Sequence, residues 1–329
     1  MTVPILLIGI ICYEVDTFNT LHPLNVRMNG NEINKNYVKM VYVLNNPKKF
    51  NSYIFGSSRI GNIHVENIKN ERCYNMYYGK GVPKENLNNI KTLIENNCDV
   101  EKIYLGVDSY SYTEDYTIHN SEPLRSNYEY LKSHPLKFIE MYFDMSLAIR
   151  TIKEQYINNS NEEYGTNEVF YKYGWNHDYR EESEYDFSNA EATMGNAYFL
   201  DETLQDIKEI KKLCDDNGIE LTVFTNPMYY VTYEASLDVD YYRFLKELAL
   251  ITPYYNFSGY NSITIDSNNY YETSHYKAET SDLLIDIMWN DKTYDELLEE
   301  GFGLFVTSDN VDNLLNLLAN NRDKYLADK

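Results

Sequence analysis

The chain has 329 residues, and 43% of them are hydrophobic, enough to bury the core of one large α/β domain or of two smaller ones. This hydrophobic fraction argues against global disorder. The formal net charge of −22 opposes binding to nucleic acid and to anionic lipid, so we discount both as partners. Tyrosine is unusually frequent, with 34 residues, and exposed tyrosines suit stacking on sugars.

The N-terminal segment, residues 1–33, combines an apolar stretch with a polar linker. Val3 to Tyr13 is an apolar run before the first charge at Glu14. It is too short to span a bilayer, which takes about 20 residues. We therefore expect either a buried N-terminal strand or the outer part of a membrane anchor. Residues 14–36 are polar and irregular, which favours a linker.

Residues 34–290 follow a strand–helix–strand rhythm. This rhythm predicts an α/β domain with a doubly wound, mainly parallel sheet. The predicted strands are Tyr53–Phe55, Glu71–Tyr78, Lys102–Val107 and Ile219–Phe224. The predicted helices are Asn36–Leu44, Pro83 to about Asn97, Asp201–Asn217, Tyr241–Ile251 and Lys277–Trp289.

Two segments lie outside this rhythm. Residues 110–196 are rich in Tyr, Asn and Glu, with a helix predicted over Leu136–Ile157. A long insertion between core elements usually carries substrate contacts or a lid. Residues 291–329 are predicted to form a C-terminal tail of short acidic helices that packs on one edge of the domain.

Metal and nucleotide sites have little support in the sequence. Cys12, Cys73, Cys98 and Cys214 form no Cys-x-x-Cys pair and have no accompanying histidine cluster. Neither a Gly-x-Gly-x-x-Gly motif nor a Gly-Lys-Ser/Thr loop follows a predicted strand. We therefore predict isolated thiols, no metal site and no cofactor.

The first candidate site follows the predicted strand Tyr53–Phe55. The residues Gly56, Ser57, Ser58 and Arg59 come next, so a serine would lie at the carboxyl edge of the sheet. Open α/β sheets bind ligands at that edge, and a helix beginning there offers free backbone N–H groups to an anion. The alternative interpretation is a strand followed by a helix-capping serine.

The second candidate site is a polar loop before the helix Lys277–Trp289. Glu272 precedes His275 by three residues, and a carboxylate at that distance can orient the imidazole through its Nδ1–H. The Nε2 atom is then free to accept a proton from a serine. The alternative interpretation is an exposed histidine that caps the following helix.

The order of these motifs resembles that of the SGNH (GDSL-like) hydrolase superfamily. The similar branch contains bacterial envelope-polysaccharide proteins, such as the D-alanyl transfer protein of teichoic acids and the alginate acetylation proteins. The resemblance covers roughly residues 36–289 without the central insertion, and it implies a flavodoxin-like three-layer sandwich. It implies that Ser58 is the nucleophile, that Ser57 replaces the family aspartate, and that Glu272 and His275 complete a triad. Gly79 or Gly81 would then contribute a backbone N–H to an oxyanion hole together with the N–H of Ser58.

Asp108 departs from the family pattern. The family block Gly-x-Asn-Asp corresponds to Gly106-Val107-Asp108-Ser109. Asparagine donates a hydrogen bond to an oxyanion, whereas an ionised aspartate does not. Three alternatives stay open: Asp108 is protonated, Ser109 or another donor replaces it, or the site does not perform ordinary ester hydrolysis. Arg59 is expected to pair with Asp108, to hold a substrate carboxylate, or to form an ion pair elsewhere.

The resemblance implies a serine-dependent acyl esterase or acyltransferase that acts on an acylated envelope glycan or an acyl carrier. It implies a location on the extracytoplasmic face of a bacterial membrane, with an N-terminal helix as anchor, although the sequence leaves a cytoplasmic location open. A membrane acyltransferase is a further expected partner. The alternative function is a catalytically inactive glycan-binding or assembly protein on the same fold.

Overall fold

The computed structural model describes residues 2–24, 32–158, 171–175 and 185–328. Its strands are Ser52–Phe55 (β1), Cys73–Asn75 (β2), Lys102–Val107 (β3), Glu220–Thr225 (β4), Tyr254–Asn256 (β5) and Leu304–Val306 (β6). Within these residues they form one six-stranded sheet in the order β2-β1-β3-β4-β5-β6. All neighbouring strands are parallel except the antiparallel pair β5 and β6. The prediction of an α/β fold with a mainly parallel sheet is confirmed.

Helices connect these strands, mostly where the sequence predicted them. The α-helices are Thr2–Val15, Lys35–Leu44, Pro83–Glu95, Tyr110–Thr113, Tyr128–Ser133, Pro135–Tyr142, Met145–Asn158, Leu200–Asn217, Tyr230–Leu237, Tyr241–Ile251, Ala278–Trp289, Asp295–Glu299 and Val311–Ala327. The single helix predicted over Leu136–Ile157 is wrong, because Asp144 interrupts it. Its carboxylate accepts a hydrogen bond from the Ser146 N–H at 2.7 Å, which begins a new helix.

Hydrophobic residues cover both faces of the sheet. Along β1, Tyr53 and Phe55 face one core, and Ile54 faces a second core on the opposite side. This alternation is the period of two of a β-strand. The first core includes residues from the helices Pro83–Glu95, Leu200–Asn217, Tyr241–Ile251 and Val311–Ala327. The second includes residues from Ala278–Trp289, so helices pack on both faces of the sheet.

The apolar run at the N-terminus is helical, so the buried-strand alternative is wrong. The helix Thr2–Val15 contacts the helix Met145–Asn158. Several of its apolar side chains are exposed, namely Leu6, Leu7, Ile8, Ile10 and Tyr13. Within the described ranges, every helix is too short or too polar to cross a bilayer. The adjoining segment is more than a linker, because Asp16–Thr20 is buried.

The C-terminal segment lies at one edge of the sheet, as predicted. The prediction that it consists of short helices is wrong, because it also contains a strand and a helix of 17 residues. It contributes β6 to the sheet edge, and the helix Val311–Ala327 buries Leu314 and Leu318 completely. Three-residue strands such as β5 and β6 are too short to show a periodicity in the sequence.

The opposite sheet edge, β2, is covered by two buried contacts. Lys39 Nζ donates hydrogen bonds to the Asn75 and Tyr77 carbonyl oxygens, at 2.9 and 2.6 Å. Gly174 of the insertion lies directly against Asn75. A side-chain carbon placed on Gly174 would be 2.2 Å from the Asn75 carbonyl oxygen, so only glycine fits there.

Candidate active site

Ser58 lies in a tight turn at the carboxyl end of β1. The turn continues as the 3₁₀ helix Ser58–Asn62, so the helix that the sequence predicted after this strand is a 3₁₀ helix. Ser57 caps it, since its Oγ accepts a hydrogen bond from the Arg59 N–H at 3.4 Å. Ile60 packs on β3 at Gly106, where a side-chain carbon would approach the Ile60 side chain to 2.7 Å. Gly106 therefore allows the serine turn to lie close to β3.

His275 lies in a loop that is fixed at its base and at its tip. Tyr270 and Tyr276 are fully buried and form an antiparallel bridge at the base. The Tyr271 N–H donates to the His275 carbonyl oxygen at 2.9 Å. At the tip, the Thr232 hydroxyl donates to the Thr273 carbonyl oxygen at 2.6 Å. The loop is thereby held against the helix Tyr230–Leu237.

The serine turn and the histidine loop meet in one hydrogen-bonded chain. His275 Nε2 lies 2.8 Å from Ser58 Oγ, and His275 Nδ1 contacts Glu272 Oε1. The other glutamate oxygen, Oε2, accepts a hydrogen bond from the Ser274 N–H at 2.8 Å. The side chains of His275 and Glu272 are 30% and 24% exposed, so a ligand can reach this chain. The structure thus brings together Ser58, Glu272 and His275, as the sequence predicted. Ser58 and His275 are 217 residues apart in the chain.

A buried ion pair lies beside this chain. Arg59 and Asp108 approach to 2.8 Å, and each side chain is only 2% exposed. The guanidinium stacks on Tyr110, 4.4 Å from the ring centre, and donates to Ser274 Oγ at 3.4 Å. Arg59 therefore pairs with Asp108, as one of the three alternatives for it supposed, and also connects the serine turn to the histidine loop.

The Asp108 carboxylate is surrounded by hydrogen-bond donors. It accepts from the Tyr110 N–H and from Asn226 Nδ2, both at 2.8 Å, in addition to its contact with Arg59. The Asp108 carboxylate therefore acts as a hydrogen-bond acceptor in this structure. Asp108 therefore does not supply the hydrogen bond that the family asparagine would donate to an oxyanion at this position.

Ser109 does not replace that donor either. Its hydroxyl is buried and lies 2.8 Å from Ser236 Oγ, with the sulfur of Met228 at 3.8 Å. Sequence reasoning missed Asn226, which follows β4 and binds Asp108 from the neighbouring strand end. Its position directly after a parallel strand was the available signal.

Among the described residues, the backbone N–H groups of Ser58 and Gly79 have no hydrogen-bond acceptor. The Gly81 N–H instead donates to the Tyr78 carbonyl oxygen at 3.2 Å. A side-chain carbon on Gly81 would lie 2.5 Å from the Gly56 carbonyl oxygen, so Gly81 permits close packing against the serine turn. Gly79 is therefore the better candidate for an oxyanion donor, and Gly81 is a packing residue.

In the part of the chain that the structure describes, no cluster of three or more His, Cys, Asp or Glu side chains could hold a metal ion. All four cysteines are free thiols, and burial raises the pKa of Cys214 to about 12. Comparison of the sequence with family models and with curated proteins gives no match. Function must therefore be inferred from the geometry around Ser58.

Proposed function

We propose that this chain is a serine-dependent acyl esterase or acyltransferase that forms an acyl-enzyme on Ser58. The observation that carries the proposal is the chain from Ser58 Oγ through His275 to Glu272. Nucleophile, base and orienting carboxylate have the mutual contacts that this chemistry requires. We further propose that the chain is a member of the SGNH hydrolase superfamily, which the strand order and the position of the serine support.

In the proposed first step, Ser58 Oγ attacks the carbonyl carbon of an ester. As the new O–C bond forms, the hydroxyl proton moves to His275 Nε2 across the 2.8 Å contact. Glu272 accepts a hydrogen bond from the Nδ1–H, which fixes the tautomer and stabilises the imidazolium. The negative charge on the carbonyl oxygen is stabilised by the N–H groups of Ser58 and Gly79.

In the second half of the proposed reaction, the intermediate collapses and the ester C–O bond breaks. His275 returns its proton to the leaving alcohol, and the acyl group stays on Ser58. Water or a glycan hydroxyl then attacks the acyl carbon while His275 removes its proton. The bond between the acyl carbon and Ser58 Oγ breaks, and His275 returns the proton to Ser58. Hydrolysis and transfer differ only in this second nucleophile.

We propose an acylated polysaccharide of the bacterial cell envelope, or an acyl carrier, as the substrate. We propose a location at the extracytoplasmic membrane face because the resemblance implies it. The exposed apolar side chains of the helix Thr2–Val15 support contact with a membrane, but they do not distinguish its two faces. A membrane acyltransferase would then be the source of the acyl group. The high net negative charge supports neutral or cationic groups in the substrate in preference to phosphates.

A second candidate function is glycan binding without catalysis. The observation that favours it is the Arg59–Asp108 pair, which occupies the position of a family oxyanion donor. A site that lacks this donor has lost one source of transition-state stabilisation. This function predicts saturable oligosaccharide binding that survives the loss of both Ser58 and His275.

Labelling with a fluorophosphonate distinguishes the two functions, because this probe reports an activated serine without requiring the natural substrate. We expect wild-type protein to be labelled and the variants Ser58→Ala and His275→Ala to lose labelling at least 100-fold. Ser133→Ala, which changes an exposed serine of the helix Tyr128–Ser133, serves as the matched control and should label like wild type. A folded wild-type protein that does not react would contradict the enzymatic proposal.

A further inference from the structure

Gly79 lies between two residues whose side chains belong to one polar network. We call it the His119 network, and it consists of Tyr78, Lys80, Glu85, Glu114 and His119. Two of its members, Tyr78 and Lys80, are the chain neighbours of Gly79. The network lies outside the Ser58–His275–Glu272 chain, and no step of the proposed reaction uses it directly.

The network connects the two neighbours of Gly79 through a single histidine. On one side, the Tyr78 hydroxyl donates to Glu85 Oε2 at 2.6 Å, and His119 Nδ1 lies 2.9 Å from the same oxygen. On the other side, Lys80 Nζ donates to Glu114 Oε1 at 2.8 Å, and His119 Nε2 lies 3.5 Å from that oxygen. Together with the backbone of residues 78–80, these contacts therefore form a closed ring that includes Gly79.

His119 must carry two N–H groups to donate to both glutamates. Its side chain is fully buried, and burial alone would lower its pKa. The hydrogen bonds to Glu114 and Glu85 outweigh burial and raise the pKa to about 9. The titratable groups that contact the His119 ring are thus Glu85 and Glu114. These glutamates are in turn hydrogen-bonded to Tyr78 and Lys80. At neutral pH the imidazolium holds both carboxylates, whereas a neutral imidazole has only one N–H to donate.

The loop held by this network also contacts the serine turn. Gly81 closes the loop by donating to the Tyr78 carbonyl oxygen, and it packs against the Gly56 carbonyl oxygen. Lys80 adopts a left-handed conformation with φ of 63°, which is unfavourable for a lysine. A backbone in this conformation needs support from its surroundings. The salt bridge from Lys80 to Glu114 supplies such support.

We propose that His119 is a positioning residue, which holds the Gly79 N–H in place for the oxyanion through the side chains of Tyr78 and Lys80. This inference rests on the proposed function, since it assigns the oxyanion role to Gly79. It adds that part of the insertion, the segment with Glu114 and His119, controls the geometry of the catalytic loop. A displacement of about 1 Å in an oxyanion donor is enough to slow a reaction about 100-fold.

The test compares turnover of p-nitrophenyl acetate by wild type, His119→Gln and Lys80→Met. We expect kcat to fall 10- to 100-fold in both variants, with KM changed less than about twofold, because a donor acts mainly on the transition state. Lys80→Arg should retain wild-type kcat, since it preserves the charge that contacts Glu114. The exposed histidine variant His134→Gln is the matched control and should be unaffected. The alkaline decline in wild-type kcat near pH 9 should be absent from His119→Gln.

Amide hydrogen exchange of the segment 78–82 provides a readout that does not depend on catalysis. Exchange should be at least 10-fold faster in His119→Gln and in Lys80→Met than in wild type or His134→Gln. Lys80 is half exposed, so its variants remain informative if His119→Gln fails to fold. The positioning role of His119 is wrong if Lys80→Met leaves the exchange rate unchanged. It is also wrong if exchange becomes faster while kcat stays the same. If wild type neither reacts with the fluorophosphonate nor hydrolyses the ester, the proposed function is wrong, and so is the oxyanion role of Gly79. The exchange measurement then still shows whether the His119 network holds the segment 78–82 in place.

Discussion

His275 and His119 are alike in their first contact and different in their second. Each has its Nδ1 atom at a glutamate oxygen, Glu272 in one case and Glu85 in the other. The Nε2 atom of His275 faces the hydroxyl of Ser58, whereas that of His119 faces a second carboxylate, Glu114. The His275 side chain is 30% exposed, and the His119 side chain is completely buried.

This difference shows how the second partner decides what a carboxylate-bound histidine can do. A hydroxyl can give its proton to the imidazole, and the ring can pass that proton on to a leaving group. A second carboxylate instead stabilises the charged ring and keeps both protons in place. The first arrangement suits proton transfer, and the second suits holding two chain segments together.

The largest effect is expected where the first arrangement is disturbed. Glu272→Gln keeps the shape of the side chain but allows the amide to donate to His275 Nδ1, which favours the wrong tautomer. We expect kcat for p-nitrophenyl acetate to fall about 10³- to 10⁴-fold, by analogy with serine proteases. Thermal unfolding should change little, because Glu272 and His275 are partly exposed. A kcat within tenfold of wild type would exclude Glu272 as the orienting group.

A smaller effect is expected when the buried pair next to Ser58 loses one charge. Asp108→Asn leaves the Arg59 guanidinium without its counter-charge, which should lower the free energy of unfolding by about 3–5 kcal/mol. Urea unfolding measures this directly. The double variant Arg59→Met with Asp108→Asn removes the stranded charge and should recover most of the loss. Equal stabilities of the single and double variants would mean that the charge pair is not the cause.

The smallest of these effects is the contribution of His119 to stability. The pKa of His119 is raised from its usual 6.5 to about 9, so its charged form is favoured in the folded state. Its contribution, at most about 3 kcal/mol, is therefore complete below pH 6.5 and is lost as the pH rises through 9. Urea unfolding between pH 6 and pH 10 should show this loss in wild type and in His134→Gln, but not in His119→Gln. If the free energy of unfolding changes with pH in the same way in all three proteins, His119 does not make this contribution.

The sequence predicted the local and the motif-based parts of this molecule. The strands β1, β3 and β4 are apolar runs bounded by turn residues, and Ser58, Glu272 and His275 lie in short recognisable motifs. The partners of Asp108 and the role of His119 could not be predicted, because they depend on contacts between distant segments. Asn226 directly precedes Pro227, and such a pair is typical of a turn. His119 is one of three histidines in the irregular insertion 110–196. The edge strand β6 could not be predicted either, since a strand of three residues carries no periodic signal.

The contacts that cover β2 bear on the self-association of this protein in solution. The Met76 N–H donates to the Ile54 carbonyl oxygen, so the Asn75 carbonyl points away from β1 toward the outside of the sheet. Outward carbonyls on an edge strand are where a strand from another molecule can pair. Lys39 occupies the carbonyls of Asn75 and Tyr77, and Gly174 covers Asn75. The insertion beside the candidate site thus also opposes self-association through this edge of the sheet.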